Sequence, residues 1–383
     1  MTDGPLSGVL VADFSRILAG PYATMLLADL GADVVKVEGP QGDDTRTWTP
    51  PARGEVSTYY LGVNRGKRSI ALDLRDEGDA RLARELARRA DVLVENFRPG
   101  GLAKYGLDYA AVSSGNPGVV YASISGFGSG AGARVPGYDL MVQAMSGLMS
   151  LTGEPDGPPY RAGISVFDVM AGNHAVIGVL AALRHRDTTG QGQHVEVNLM
   201  SSALTGLVNQ SSAYVAGDVV PFRMGNAHPS VFPYEPLPTA DHDLIVAAAN
   251  DGQFRKLCEV LGIPEVAADP RFARNADRTA RREELRPILV ERLVTRPADE
   301  WFALLVDAGV PSGPINTIDG GFAVAERFGL EPVVVVGEGE RAVPTTRHPI
   351  RFSETPAGYR LPPPELDEHG AELRKWLEGG SHA

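Results

Sequence analysis

The chain has 383 residues, 43% hydrophobic and 22% charged, the balance of an ordinary globular protein, and it is long enough to build two cores. Its formal net charge of −12 sets a field that repels nucleic acid and anionic lipid, so neither is expected as a partner. Cys258 is the single cysteine, which excludes an internal disulfide and a cysteine-based zinc site. It lies in the apolar-periodic stretch FRKLCEVLG and reads as a packed core thiol.

In chain order, 8–15 (GVLVADFS) reads as a strand, and the following PYATMLLADLG reads as a helix, with Pro21 in its first turn and Gly31 at its end. Residues 32–38 and 69–74 read as strands. Residues 76–90 form an amphipathic helix with Leu82, Ala83, Leu86, Ala87 and Ala90 on one face. Strands follow at 91–97 and 119–126. The alternation implies a mostly parallel sheet with helices on both faces. Helices are expected at 138–150 and 168–186. The second is apolar nearly all round and is expected to be buried. HVEVNLM (194–200) is a strand leading into a further helix.

Residues 216–240 are rich in Pro, Gly and Asn and read as a linker. Beyond it a strand at 243–249 precedes helices from about 252, near 281–294 and at 298–308. GVPSGPINT (309–317) closes that region. From about 320 the chain is proline-rich with short strands, before a last helix near 369–378. We therefore expect a large domain from 1–215 and 325–383, with 216–324 as linker and small α/β domain. The N-terminus does not read as a signal peptide, and no run of about 18 uninterrupted apolar residues stands out. The expected location is cytoplasmic, with no membrane partner.

Several common chemistries lack their signatures. No G-x-G-x-x-G follows the first strand, where the loop is FSRILAGPYA, and neither a P-loop nor a G-x-S-x-G elbow is present. The eight His form no metal-ligand motif. RAGISVFDVMAG (161–172) places Asp168 at the mouth of an apolar helix. Such a carboxylate either caps the helix or acts as a nucleophile on an acyl carbon. VENFRPGGLAKYG (94–106) puts Asn96, Arg98 and Lys104 beyond the carboxyl end of a strand, where they are either phosphate ligands or solvated loop. Lys67 and Arg68, taken singly, read as surface charge. Tyr138 and Trp48 are either packing or site residues.

Seven segments in order resemble the class III coenzyme A transferases, the family of formyl-CoA transferase and the carnitine CoA-transferases. They are VADFSRILAGPYATMLLADLGADVVKVE (11–38), NRGKRSIALDL (64–74), DVLVENFRPG (91–100), GYDLM (137–141), the Asp168 segment, TTGQGQHVEV (188–197) and GNAHPSVFPYE (225–235). The resemblance implies a Rossmann-like large domain with a parallel sheet, a smaller α/β domain, and an interlocked homodimer. By position it implies Asp168 as the nucleophile, and Lys36, Leu72, Asn96, Phe97, Arg98 and Lys104 around the nucleotide of coenzyme A, with Arg16 in a loop approaching the same ligand. It places Trp48 and Tyr138 near the acyl group. It further implies acyl-CoA and carboxylic acid substrates, aspartyl anhydride and aspartyl-CoA thioester intermediates, no tightly bound cofactor and no metal.

Two departures narrow the expectation. The racemase branch, which epimerises 2-methylacyl-CoA, carries His where this chain has Tyr138, so one proton carrier is missing here. The glycine-rich lid of the oxalate-type enzymes is replaced by AAANDGQF (247–254). That segment and GNAHPSVFPYE are more similar to members using succinyl-CoA and dicarboxylic acceptors such as glutarate, citramalate or itaconate. A racemase and a catalytically idle CoA-binding protein are the alternative readings.

Overall fold

A computed structural model describes residues 4–379. The chain forms two compact units. The first comprises the residues up to Leu148, Arg161–Val219 and the segment from Glu331 onward. The second comprises Met149–Tyr160 and Val220–Leu330. The second unit thus takes in a short stretch between residues 148 and 161 in addition to the region after the linker.

The first unit is built on six parallel strands: β1 (Leu10–Asp13), β2 (Asp33–Glu38), β3 (Lys67–Ala71), β4 (Val92–Glu95), β5 (Val120–Ser125) and β6 (Gln193–Asn198). Their order across the sheet is β3-β2-β1-β4-β5-β6, so the direction of winding reverses between β1 and β4. Alternate residues of each strand feed opposite cores. Val11, Val34, Val92 and Val120 pack under α1 (Ala19–Asp29), together with the long helix Val166–Thr189. Ala12, Val35, Leu93 and Tyr121 pack under α2 (Glu77–Arg89) and the C-terminal helix Gly370–Leu377. Side chains alternate across a strand, so both faces of this sheet are apolar and both are covered.

Four expectations need correction. β3 begins at Lys67, not at 69, because Lys67 and Arg68 continue the pairing with β2 at Val34 and Val35. Neither is simple surface charge. Lys67 is fully buried, its Nζ 3.1 Å from Asp13, and Arg68 pairs with Asp33 and Glu372. The helix expected over 138–150 is broken into α3 (Asp139–Met145) and Leu148–Leu151, with Gly147 at φ 95° between them. The long helix, α4 (Val166–Thr189), is buried on one face only. Phe167, Ala171, Ala175, Val179 and Leu183 face the sheet, whereas Ile177 and Leu180 are exposed. By length and composition alone α4 would suffice to cross a membrane, a span that no uninterrupted apolar run in the sequence suggests. It packs against α1, β5 and β6, and its close crossing with α1 rests on Gly172, where a Cβ would stand 2.8 Å from the Ala19 carbonyl oxygen.

The second unit has an antiparallel sheet of β7 (Tyr234–Pro238), β8 (Asp243–Ala247) and β9 (Ser312–Pro314), in the order β9-β8-β7. Cys258 is fully buried in its core among Phe254, Leu257 and Leu261, and burial pushes its thiol up to about 12. A helix at Ile318–Arg327 occupies residues read from sequence as the start of a proline-rich tail. Gly320 and Gly321 in its first turn weaken the helical signal.

Candidate active site

The winding reversal leaves a crevice beyond the carboxyl ends of β1 and β4, and two loops enter it. The loop after β1 carries Phe14–Leu18, and that after β4 carries Asn96–Pro99. Asn96 ties them: its Oδ1 accepts from Arg16 N–H at 2.9 Å and its Nδ2 donates to the Arg16 carbonyl at 2.6 Å. The Asn96 amide is therefore engaged in holding backbone at the cleft wall. Arg16, Ile17, Asn96, Arg98, Tyr138 and Asp168 line one cleft there. Tyr138 is brought in by a backbone crossing that only glycine permits. A Cβ on Gly126 would sit 2.3 Å from the Gly137 Cα.

Asp168 lies in the first turn of α4, where Ser165 is the N-cap residue. The capping work is done from elsewhere. Asp139, buried in the first turn of α3, accepts from Phe167 N–H at 2.7 Å and Asp168 N–H at 3.2 Å through Oδ1. The amide of Gln143 donates to its other oxygen, and to the Ile164 carbonyl at 3.1 Å. Among the described residues no donor holds the Asp168 carboxylate. Burial, then the charge of Asp139, pushes that carboxyl up to about 7. The capping alternative for Asp168 is thereby removed, and a half-buried, weakly solvated carboxylate faces the cleft.

One aromatic, Tyr59, lies near enough to feel its charge, and a second, Trp48, packs on Tyr59. Burial, then the charge of Asp168, pushes the Tyr59 hydroxyl up to about 12, so it remains a donor at neutral pH. Trp48 meets Tyr59 edge-on with ring centroids 5.4 Å apart. Tyr59 escapes sequence reasoning. Its segment, STYYLG, carries no motif, and only the fold brings it to Asp168. Asp139 stands within GYDLM with no role visible there, because its partners lie 28 and 29 residues ahead.

A neighbouring cleft is lined by Ser15, Arg16, Leu72, Arg75, Phe97 and Tyr105, between the carboxyl ends of β1, β2, β3 and β4. Arg16 lies over the Phe97 ring at 5.8 Å, with Asp44 3.8 Å from its guanidinium. Arg98 is exposed at the edge of the Asp168 cleft, and Lys104 is exposed with its ammonium 4.7 Å from the Tyr105 ring. Arg75 and Tyr105 join this wall although no sequence motif marks them. Lys36 also lines this cleft, with its ammonium fully buried and donating to Asp43 at 3.0 Å and to the Ser15 carbonyl at 3.1 Å. No cluster of metal-ligating side chains occurs among the described residues.

The chain is similar to known proteins over nearly its whole length. The chain is 47% identical to a succinate–glutarate CoA-transferase of Agrobacterium fabrum, over 98% of this chain and 96% of that protein. It is 41% identical to an acetyl-CoA:oxalate CoA-transferase of Acetobacter aceti, over 97% and 95%. The crystal structure of a CAIB/BAIF family protein from Brucella suis superposes with a TM-score of 0.87 at 45% identity, covering 98% of this chain and all of that one. The sequence pattern of CoA-transferase family III matches residues 6–370, and the chain belongs to that family.

Proposed function

We propose that this enzyme moves coenzyme A from succinyl-CoA to a dicarboxylic acid such as glutarate, with Asp168 as the nucleophile. The observation that carries the reading is the Asp168 carboxylate itself. It is relieved of capping by Asp139, has no hydrogen-bond donor among the described residues, and is poorly solvated at the wall of a cleft. An under-solvated carboxylate is a stronger nucleophile than one in water. Asp168 attacks the donor acyl carbon, the C–S bond breaks, and an acyl-aspartyl anhydride and CoA thiolate form. The thiolate then attacks the aspartyl carbonyl and releases the donor acid, leaving an aspartyl-CoA thioester. The acceptor carboxylate attacks this thioester to give a second anhydride and thiolate. Attack of the thiolate on the acceptor acyl carbon yields the new acyl-CoA and free Asp168. Tyr59, protonated throughout, supplies a donor for oxygen charge developing beside Asp168.

The nucleotide of coenzyme A is assigned to the neighbouring cleft, where Arg16 and Arg75 offer charge and Phe97 and Tyr105 offer ring faces, with Arg98 at the edge of the adjoining Asp168 cleft. The succinyl donor and dicarboxylic acceptor are supported by the Agrobacterium relative's name and by the AAANDGQF and GNAHPSVFPYE segments. We also propose a cytoplasmic, interlocked homodimer without a tightly bound cofactor. The exposed Ile177 and Leu180 of α4, with Met141 and Met145 of α3, support a second copy as their cover. The test incubates the protein with succinyl-CoA and a panel of mono- and dicarboxylic acids, following acyl-CoA species by mass spectrometry. A new thioester from a dicarboxylate, lost in Asp168→Ala, is the expected result. Turnover by Asp168→Ala above a few per cent of the parent would refute the assignment.

A further inference from the structure

Ile17 has a β-branched side chain at φ 71°, a conformation such residues rarely adopt. It sits in the loop between β1 and α1, on the wall of the Asp168 cleft. Strain of this kind persists only where the surroundings impose it. Here they do so through side chains alone. Asp43 Oδ2 accepts from Ile17 N–H at 3.2 Å, while its Oδ1 accepts from Thr45 N–H at 3.0 Å. Lys36 donates to Asp43 Oδ2, the oxygen that accepts from Ile17, and to the carbonyl of Ser15, two residues before Ile17. Asn96 holds both polar groups of Arg16 between them. The side chains of Lys36 and Asp43 are both fully buried, so this ion pair is unscreened and rigid.

We infer that Asp43, locked by Lys36, is a positioning residue: it holds Ile17 in the left-handed conformation and so sets the Arg16–Ala19 wall against Asp168. This rests on the proposed role of Asp168 as nucleophile. What the pair protects is distance. A wall displaced by about 1 Å costs an enzyme of this kind on the order of 100-fold in turnover. The buried pair thus serves the reaction without touching the reactants.

The test is a double-mutant cycle on kcat at saturating acyl-CoA, using Asp43→Asn and Ile17→Gly. Glycine takes a positive φ without strain, so the Ile17→Gly loop needs no restraint to adopt it. Asp43→Asn alone is expected to lower kcat roughly 10- to 100-fold. In the Ile17→Gly background the same change is expected to cost much less, with a coupling of roughly tenfold, the scale of one residue's left-handed strain. A residue that only stabilises the fold gives equal losses in both backgrounds. A coupling below about threefold, which is within ordinary additivity error, overturns the inference, as does full activity of Asp43→Asn. Should Asp43→Asn fail to fold because Lys36 is left unpaired, the cycle is run with Asp43→Asn/Lys36→Met, which removes both charges, and is read by the same threshold. Asp168→Ala is measured alongside. If it remains active, the nucleophile reading fails independently of the cycle.

Discussion

Replacing Asp168 by Asn should abolish transfer and, at alkaline pH, stabilise the protein. The carboxyl is raised from 3.8 to about 7 in the folded chain, by burial first and by Asp139 second. The native state therefore holds this proton more tightly than the unfolded chain does. Its favourable contribution is complete below about pH 4 and is lost as pH rises through 7. At about 1.4 kcal/mol per unit the ionised group costs up to roughly 4 kcal/mol above pH 7, and about 2–4 kcal/mol once partial solvation is allowed for. Asn keeps the shape and discards the charge. Thermal melts of the parent and Asp168→Asn from pH 4 to 8.5 should coincide at the acid end and diverge between pH 4 and 7, with the variant several degrees more stable above 7. The parent's kcat/KM for acyl-CoA should carry an acid limb near pH 7, falling about tenfold per unit below it. A variant no more stable than the parent at pH 8.5, or a stability gap independent of pH, would refute the claim that Asp168 is held in an under-solvated place.

Asp139→Asn keeps an oxygen for the Phe167 and Asp168 N–H groups and removes the neighbouring negative charge, so the acid limb of kcat/KM should move below 7. A limb that stays in place would mean that desolvation alone raises Asp168. Arg75, Arg98 and Lys104, changed singly to Ala, should each raise KM for acyl-CoA about three- to tenfold with kcat nearly unchanged, the loss expected of a partly exposed phosphate contact. An unchanged KM at any of them, measured by initial rates, returns that residue to the solvated surface.

Much of the first unit is legible in the amino-acid sequence. Strand and helix periods in residues 8–126 define a mostly parallel sheet, because short apolar strands alternate with helices such as Glu77–Arg89 that are apolar on one face. Asp168 is visible there as a carboxylate at the mouth of an apolar helix, but its freedom is not. A lone sequence segment cannot tell a cap from a nucleophile. That depends on whether another group supplies the cap, and Asp139 does so from 28 residues away. Lys67 misleads for a related reason. A basic residue at a strand end is solvated, ligand-bound or buried according to whether a carboxylate meets it in space, and Lys67 meets Asp13 in the interior. Tyr59, Arg75 and Tyr105 reach their clefts through loops whose course no local pattern dictates. Local propensity and hydrophobic period therefore determined the strands, helices and layers of this protein. Only tertiary structure decided which polar groups are consumed by one another and which are left free for chemistry, because desolvation and pairing are properties of groups brought together across the chain.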